Sequence, residues 1–283
     1  MTQPGLAARP IGTLLDRALQ HLQAGPAESL TIARDVLGLV RAPTLVAERL
    51  ATALLGADPR VRRDHLGLWR LATELRPATP LEDLVFAVVD VETTGSRAGG
   101  EDRITEVAVV LAGPRGRVET AVDRLVNPER PIPPIVTRLT RITDAMVRSQ
   151  PAFREIVDDV LTALAGRVFA AHNAQFDWRF LEAEVRRARD LRLDGPRVCT
   201  VKLARRLVPG LKNRGLDSVS RYFGIEIENR HRAGGDALAT ARILVKLLDR
   251  AAELGATTID ELTRVGAAVK PRKTAGPGWV QEI

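Results

Sequence analysis

The chain has one cysteine, few aromatic residues and no long apolar run. Cys199 has no partner for an internal disulfide or a cysteine-based metal knuckle. It therefore reads as a small buried apolar side chain in a reducing, cytoplasmic setting. Aromatics make up 4% of the residues, too few for a wide base-stacking platform. No stretch approaches the roughly 20 apolar residues that cross a bilayer, so no membrane partner is expected. Met1 to Pro10 lacks the apolar core of a secretion signal. What is present is globular in kind, 45% hydrophobic and 27% charged over 283 residues, enough for one large domain or two smaller ones. Lys plus Arg total 42 against 35 acids, a formal charge of +7 that suits a polyanion such as nucleic acid. Charge alone is weak evidence, since many basic proteins bind no nucleic acid.

Three regions follow from the patterning: an accessory domain at 1–80, an α/β domain at 81–255, and a short helix with a basic, mobile tail at 256–283. In the first, Ile11, Leu14, Leu15, Ala18, Leu19 and Leu22 fall at helical spacing. Gly25-Pro26 ends that helix, a second spans Ala27 to about Leu39, and a third follows Pro43 and stops at Gly56. Leu45, Val46, Leu50, Ala53 and Leu54 are expected to face inward on the third helix. Val61 and Arg63, then Trp69 and Leu71, alternate about a turn at Asp64 to Gly67, as in a β-hairpin. Three helices and a hairpin resemble a winged-helix module. The region reads equally as a nucleic-acid or partner binder, with Arg60, Arg62 and Arg63 on the wing, or as a small helical packing domain. Arg76 to Pro80 is a proline-rich linker.

Beyond it, Leu84 to Val91 is an apolar run of the kind buried on both faces of a sheet. Strands are expected at 103–111, 118–126, 168–171 and 197–200, with helices at 142–147, 153–164, 176–189, 201–207, 216–223 and 237–252. Asp90-Val-Glu92 closes the apolar run. Alternation puts both carboxylates on one face, where two like charges repel unless a cation compensates them. Hard oxygen ligands of this kind suit Mg²⁺ or Mn²⁺. Thr93-Thr94-Gly95 adds hydroxyls and free N–H groups next to the pair. In a second segment, His172-Asn-Ala-Gln-Phe-Asp177, the acid opens a helix, where a capping role is equally natural. A third, His231-Arg-Ala-Gly-Gly-Asp236, sets a histidine five residues before an acid at a helix start, on a loop that Gly234 and Gly235 would make mobile. Histidine titrates near neutral pH and can take a proton from water. His21 and His65 lie outside the α/β part and read as structural. Four acids and one base at strand ends and helix starts match two-metal phosphoryl chemistry.

These three segments resemble the DEDDh exonucleases, the DnaQ-like family that includes proofreading subunits of bacterial replicative polymerases. Residues 88–95, 171–177 and 231–237 carry the resemblance, with Asn127-Pro, Ile132-Pro-Pro and 137–144 between them. It covers about 82–250 and does not reach 1–80 or the tail. It implies an RNase H-like mixed five-stranded sheet flanked by helices. By resemblance, Asp90 bridges two divalent ions, Glu92 and Asp236 complete the first site, Asp177 holds the second, and His231 is the general base. Thr93 and Thr94 would contact the terminal nucleotide, and His172 and Asn173 would position the strand. The expected activity is 3′→5′ exonucleolysis releasing nucleoside 5′-monophosphates. Single-stranded DNA is the favoured partner, and residues 1–80 are a candidate dock for a DNA polymerase or repair protein. RNA trimming, or a vestigial site in a binding module, stay open as alternatives. Ile135 and Arg141 stand where many relatives carry an acid and a glycine.

Overall fold

The computed structural model describes residues 5–10, 12–58, 60–72, 79–113 and 116–265. The linker up to residue 78, Ile11 and the tail beyond residue 265 lie outside them. A strand β1 (Ala7–Pro10) precedes helices α1 (Leu14–Gln23), α2 (Ser29–Asp35) and α3 (Thr44–Leu55) and a hairpin of β2 (Val61–Arg63) and β3 (Trp69–Leu71). Then come β4 (Phe86–Thr93), β5 (Ile104–Ala112), β6 (Val118–Leu125), α4 (Pro134–Thr140), α5 (Asp144–Val147), α6 (Phe153–Leu164) and β7 (Val168–Ala171). They are followed by α7 (Ala174–Arg189), β8 (Leu191–Asp194), β9 (Arg197–Cys199), α8 (Thr200–Leu207), α9 (Leu216–Phe223), α10 (Ala233–Glu253) and α11 (Ile259–Arg264). No helix among the described residues is long and apolar enough to cross a membrane.

The expected mixed five-stranded sheet is present, in the order β6-β5-β4-β7-β9. β4 and β5 pair antiparallel, as do β5 and β6, whereas β4–β7 and β7–β9 are parallel. Alternation along β4 assigns its residues to two separate cores. Ala87, Val89 and Val91 meet Val157, Trp178 and Leu181 from α6 and α7. Phe86 and Val88 meet Leu203, Ala237 and Leu244 from α8 and α10. By the same parity, Asp90 and Glu92 look toward the α10 layer.

Several elements differ from the sequence expectation. α4 occupies a stretch for which no helix was expected, starting on Pro134, whose fixed φ and missing N–H suit the first turn of a helix. Arg141 ends α4 in the left-handed region at φ 62°, a conformation glycine adopts without cost. α10 begins at Ala233, four residues earlier than expected, so Gly234 and Gly235 are helical. Cys199 is half-buried at the start of α8. On α3 the buried stripe is Ala47, Ala51 and Leu55, while Leu45, Val46 and Leu50 are 63%, 43% and 38% exposed. Small alanines let α3 approach its neighbours closely and turn the larger side chains outward. Leu14 of α1 is also exposed, and Ala18, Leu19 and Leu22 form the packed stripe.

The accessory region has its own apolar cluster, including Leu19, Ile32, Leu55, Val61 and Trp69. Ala27 and Trp69 exchange backbone hydrogen bonds of 2.9 and 2.8 Å, tying the segment between α1 and α2 to the hairpin. β1 departs furthest from expectation. It pairs antiparallel with β8, from Ala7 opposite Asp194 to Pro10 opposite Leu191. Leu6 is 2% exposed within the α6–α7 core. Ion pairs Asp16–Arg192 at 2.5 Å and Arg60–Asp194 at 3.3 Å add to this junction. Residues 6–10 are thus packed on the α/β layer. Leu6→Ala should lower stability in urea unfolding by about 2–4 kcal/mol, as for other buried leucines. A loss under about 0.5 kcal/mol, typical of surface changes, would place Leu6 outside the core.

Candidate active site

The site begins with the last residues of β4. Asp90 lies opposite Ala108 and Glu92 opposite Glu106, and the register breaks between Glu92 and Thr93. The chain therefore leaves the sheet just beyond the acidic pair. The third acid comes from α10, which packs over this face. Gly234 and Gly235 make that approach possible. A Cβ on Gly235 would stand 1.7 Å from the Glu228 carbonyl oxygen, and one on Gly234 would stand 2.4 Å from Asp123 Oδ2. The two glycines lie in the first turn of α10 and serve close packing, where a mobile loop was expected. With α10 seated, Asp90, Glu92 and Asp236 bring carboxylate oxygens to within 4.8 Å of one another.

Burial raises Asp90 well above the usual carboxylate range, and Asp177, Glu92 and Asp236 push it further. Burial, followed by Asp236 and Glu106, raises Glu92 to about 7. Asp236 is raised as well, chiefly by burial. Its Oδ2 accepts from the Arg230 guanidinium and, at 3.3 Å, from the His231 amide. Its Oδ1 is buried without a partner. A buried carboxylate oxygen costs free energy unless something ligates it. The orphaned oxygen, the mutual repulsion and the all-oxygen donor set together fit a hard divalent cation such as Mg²⁺ or Mn²⁺.

Asp177 arrives from the opposite layer. It sits in the first turn of α7, and its Oδ1 accepts from the Val91 amide at 3.2 Å. It adds its charge beside Asp90 from the α7 layer, outside the cluster of three. Burial raises it to about 8, against the pull of the N–H groups it accepts.

His231 stands half-buried before α10, at φ 64°, a backbone strain of the kind found at functional sites. Its Nδ1 lies 3.2 Å from an Arg230 nitrogen. A guanidinium only donates, so Nδ1 is the ring's acceptor. Arg230 also reaches Asp217 at 2.8 Å. The loop is anchored by residues the sequence reading passed over. Glu106, 2% exposed, takes Arg232 Nε at 3.0 Å and NH2 at 2.5 Å, and the Ala233 amide at 2.8 Å. One signal was available: an acid inside the apolar run Ile104 to Leu111 needs a buried partner.

The remaining expected contacts are mixed. The Thr93 hydroxyl donates to the Gly95 carbonyl at 2.6 Å. The Thr94 hydroxyl lies 3.4 Å from Asp102 and accepts from the Arg103 amide at 3.0 Å. Both side chains shape the turn. Burial lowers His172 to about 4, and its Nδ1 lies 2.9 Å from Thr200 Oγ1, so the ring is neutral at physiological pH. Asn173 is exposed and starts α7 at φ 74° with no side-chain cap bond.

Glu106→Ala should cost about 1–3 kcal/mol, since Arg232 is only half-buried and its lost partner is partly screened. It should also speed amide exchange across residues 230–236, and unchanged exchange would refute the anchoring role. The raised carboxyls carry a second expectation. Their protonated forms favour the folded chain below the unfolded range near 4. That contribution is lost as pH rises through about 7 for Glu92 and about 8 for Asp177. In chelator, the contribution of these acids to Tm should therefore fall between pH 5.5 and 8.5. Mn²⁺ should restore it most at the higher pH, because protons and cations compete for the same oxygens. An equal Mn²⁺ effect at both pH values would contradict this.

The sequence model of the family described as Exonuclease (RNase T) matches residues 87–244. The chain is 34% identical over 169 residues to the DNA polymerase III epsilon subunit of Aquifex aeolicus, covering 60% of this chain and 83% of that one. It is 38% identical over 206 residues to a putative bifunctional exonuclease/endonuclease of Mycobacterium tuberculosis, covering 69% and 30%. It is 35% identical over 183 residues to the PolC-type DNA polymerase III of Bacillus subtilis, covering 64% and 13%. The chain thus spans a minor part of several relatives, and its first 80 residues lie outside the matched family region. Among solved structures, exonuclease X in complex with 5′ overhanging duplex DNA superposes with a TM-score of 0.50 at 29% identity, over 64% of this chain and 99% of that one. E. coli exonuclease I in complex with a dT13 oligonucleotide shares the fold at a TM-score of 0.52 and 19% identity, over 61% and 43%. With the acidic cluster in place on the matched segment, the chain belongs to the RNase T exonuclease family.

Proposed function

We propose that the chain removes nucleotides from the 3′ end of a nucleic acid, DNA in preference to RNA, releasing nucleoside 5′-monophosphates with two divalent cations, Mg²⁺ or Mn²⁺. The observation that carries this is the convergence of Asp90, Glu92 and Asp236 within 4.8 Å, with Asp177 flanking Asp90. Divalent ions bound there would neutralise charge on the phosphoryl oxygens and ease deprotonation of water. Asp90 faces both groups of acids, so it is the residue suited to share two ions. Glu92 and Asp236 would complete one site and Asp177 the other. His231, whose amide bonds Asp236, acts as the general base, and its accepting nitrogen Nδ1 must leave Arg230 to take the proton. The hydroxyls of Thr93 and Thr94 and the Thr94 amide are engaged, so these residues would shape the turn against which the terminal nucleotide sits. The exposed Asn173 amide is free to help seat the strand, while neutral His172 supports that corner.

Exonuclease X, 29% identical to this chain, is seen in complex with 5′ overhanging duplex DNA, which supports DNA as the polymer. A binding module with a vestigial site is disfavoured, because such a module needs none of the four acids. The segment from α1 to β3, within the expected 1–80 region, is proposed to form a winged-helix-like accessory domain that recruits a protein such as a polymerase or repair factor. Its candidate recognition helix, α3, exposes Leu45, Val46 and Leu50 where a nucleic-acid reader would be basic. Two of the three wing arginines are spent on acids: Arg60 pairs with Asp58 and Arg63 with Glu48.

With Mg²⁺, the protein should shorten a 5′-labelled single-stranded DNA stepwise, and act more slowly on RNA of the same sequence. His231→Ala should reduce kcat by about 10²- to 10⁴-fold, the usual worth of a general base, and Asp90→Asn should abolish turnover. Full activity of Asp90→Asn, or no product from the wild type with any divalent ion, would overturn the proposal.

A further inference from the structure

α7 starts at the acidic cluster and carries a second feature that the cluster does not use. Along its exposed face runs a groove of about 610 Å³, lined by Arg179, Glu182, Arg186 and Arg187 of α7, Gly99 of the loop after β4 and Arg192 of β8. Four guanidiniums thus share one carboxylate. Two are committed to structure. Arg187 donates to the Ala98 and Gly100 carbonyls at 3.1 and 2.7 Å, and Arg192 pairs with Asp16 at 2.5 Å. Arg179 bonds only the Gln175 carbonyl within its own helix, and Arg186 has no partner among the described residues. Two cations are therefore left over, held in one groove.

Both walls lead away from the acids. The loop that supplies Gly99 continues directly from the Thr93–Gly95 turn. Glu184, two helical turns beyond Asp177, bonds Arg103 at 2.7 Å and pins the far end of that loop. At about 1.5 Å per residue, Arg179 lies about 3 Å and Arg186 about 13 Å past Asp177 along the helix axis. The two arginines are thus about 10 Å apart along the helix axis and, seven residues apart, lie on the same face of α7. A solvated helix face would show the same arginines without the facing loop.

We propose that this groove binds the phosphodiester backbone of the strand being degraded, a few nucleotides upstream of its 3′ end, with Arg179 and Arg186 as the phosphate contacts. This rests on the exonuclease reading above. Its consequence is that long strands are held between cleavages, while a minimal substrate gains nothing from the groove.

The test is the double variant Arg179→Gln/Arg186→Gln of the full chain, compared with wild type on two substrates. For a 20-nucleotide single-stranded DNA with Mg²⁺, KM should rise about tenfold with kcat unchanged. Cleavage of thymidine 5′-monophosphate p-nitrophenyl ester should not change. In EDTA, anisotropy titrations of the same DNA should show the slope of log Kd against log salt reduced by about 1.4, about 0.7 for each lost contact. An unchanged KM and salt slope would overturn the proposal. Slower cleavage of the ester would also overturn it, by showing that the arginines act through the acidic cluster. Equal displacement of the DNA by poly-glutamate of matched charge would show a groove for acidic peptides instead. Should the wild type cleave neither substrate while the double variant still loses DNA affinity in EDTA, the exonuclease reading falls and the groove stands.

Discussion

Much of this structure can be traced to the repulsion among carboxylates forced into one small volume. Asp90, Glu92 and Asp236 hold oxygens within 4.8 Å of one another in surroundings that raise all three above their ordinary range. Like charges at that separation drive their elements apart unless packing holds them. The restraint comes from both sides. β4 is fixed between β5 and β7 at the centre of the sheet. α10 is held down by its apolar side chains on one face of that sheet and by two glycines that admit no Cβ. The site is thus stabilised by the fold and opposed by its own charge, the usual condition of a preorganised cation site.

The division of β4 between two cores explains why the acids are not equivalent. Asp90 and Glu92 share the α10 face, so Asp236 reaches them directly. Asp177 belongs to α7 on the other face and approaches the end of β4 by accepting the Val91 amide. Asp90 is the residue common to both groups. The arginines around the site divide the remaining work. Arg232 locks the His231 segment to buried Glu106, and Arg230 spans Asp236 and Asp217. The same logic extends along α7, whose buried face builds the core while its outer face carries unmatched positive charge.

Local patterns made most of the α/β part legible. Strand 168–171 and helices 153–164 and 216–223 occur as periodicity placed them, because each is bounded by an abrupt change in apolar spacing. The Asp90–Glu92 pair was readable from strand parity, and Asp236 with His231 from spacing. Long-range packing was not readable. The glycines at 234 and 235 looked like flexibility and proved to be close contact, since nothing local announces Glu228 or Asp123 above them. The β1–β8 pairing joins residues more than 180 apart in sequence. On α3, the alanine stripe was mistaken for the outer face because leucine is the stronger apolar signal. Glu106 was hidden because its partner, Arg232, comes from the far end of the domain.

The central claim is that the four carboxylates form a divalent-cation centre with Asp90 shared. Anomalous diffraction from a crystal soaked in Mn²⁺ tests it most directly. The account predicts two peaks that both contact Asp90, one toward Glu92 and Asp236 and one toward Asp177. No peak at this cluster at saturating Mn²⁺, or peaks that leave Asp90 untouched, would contradict it.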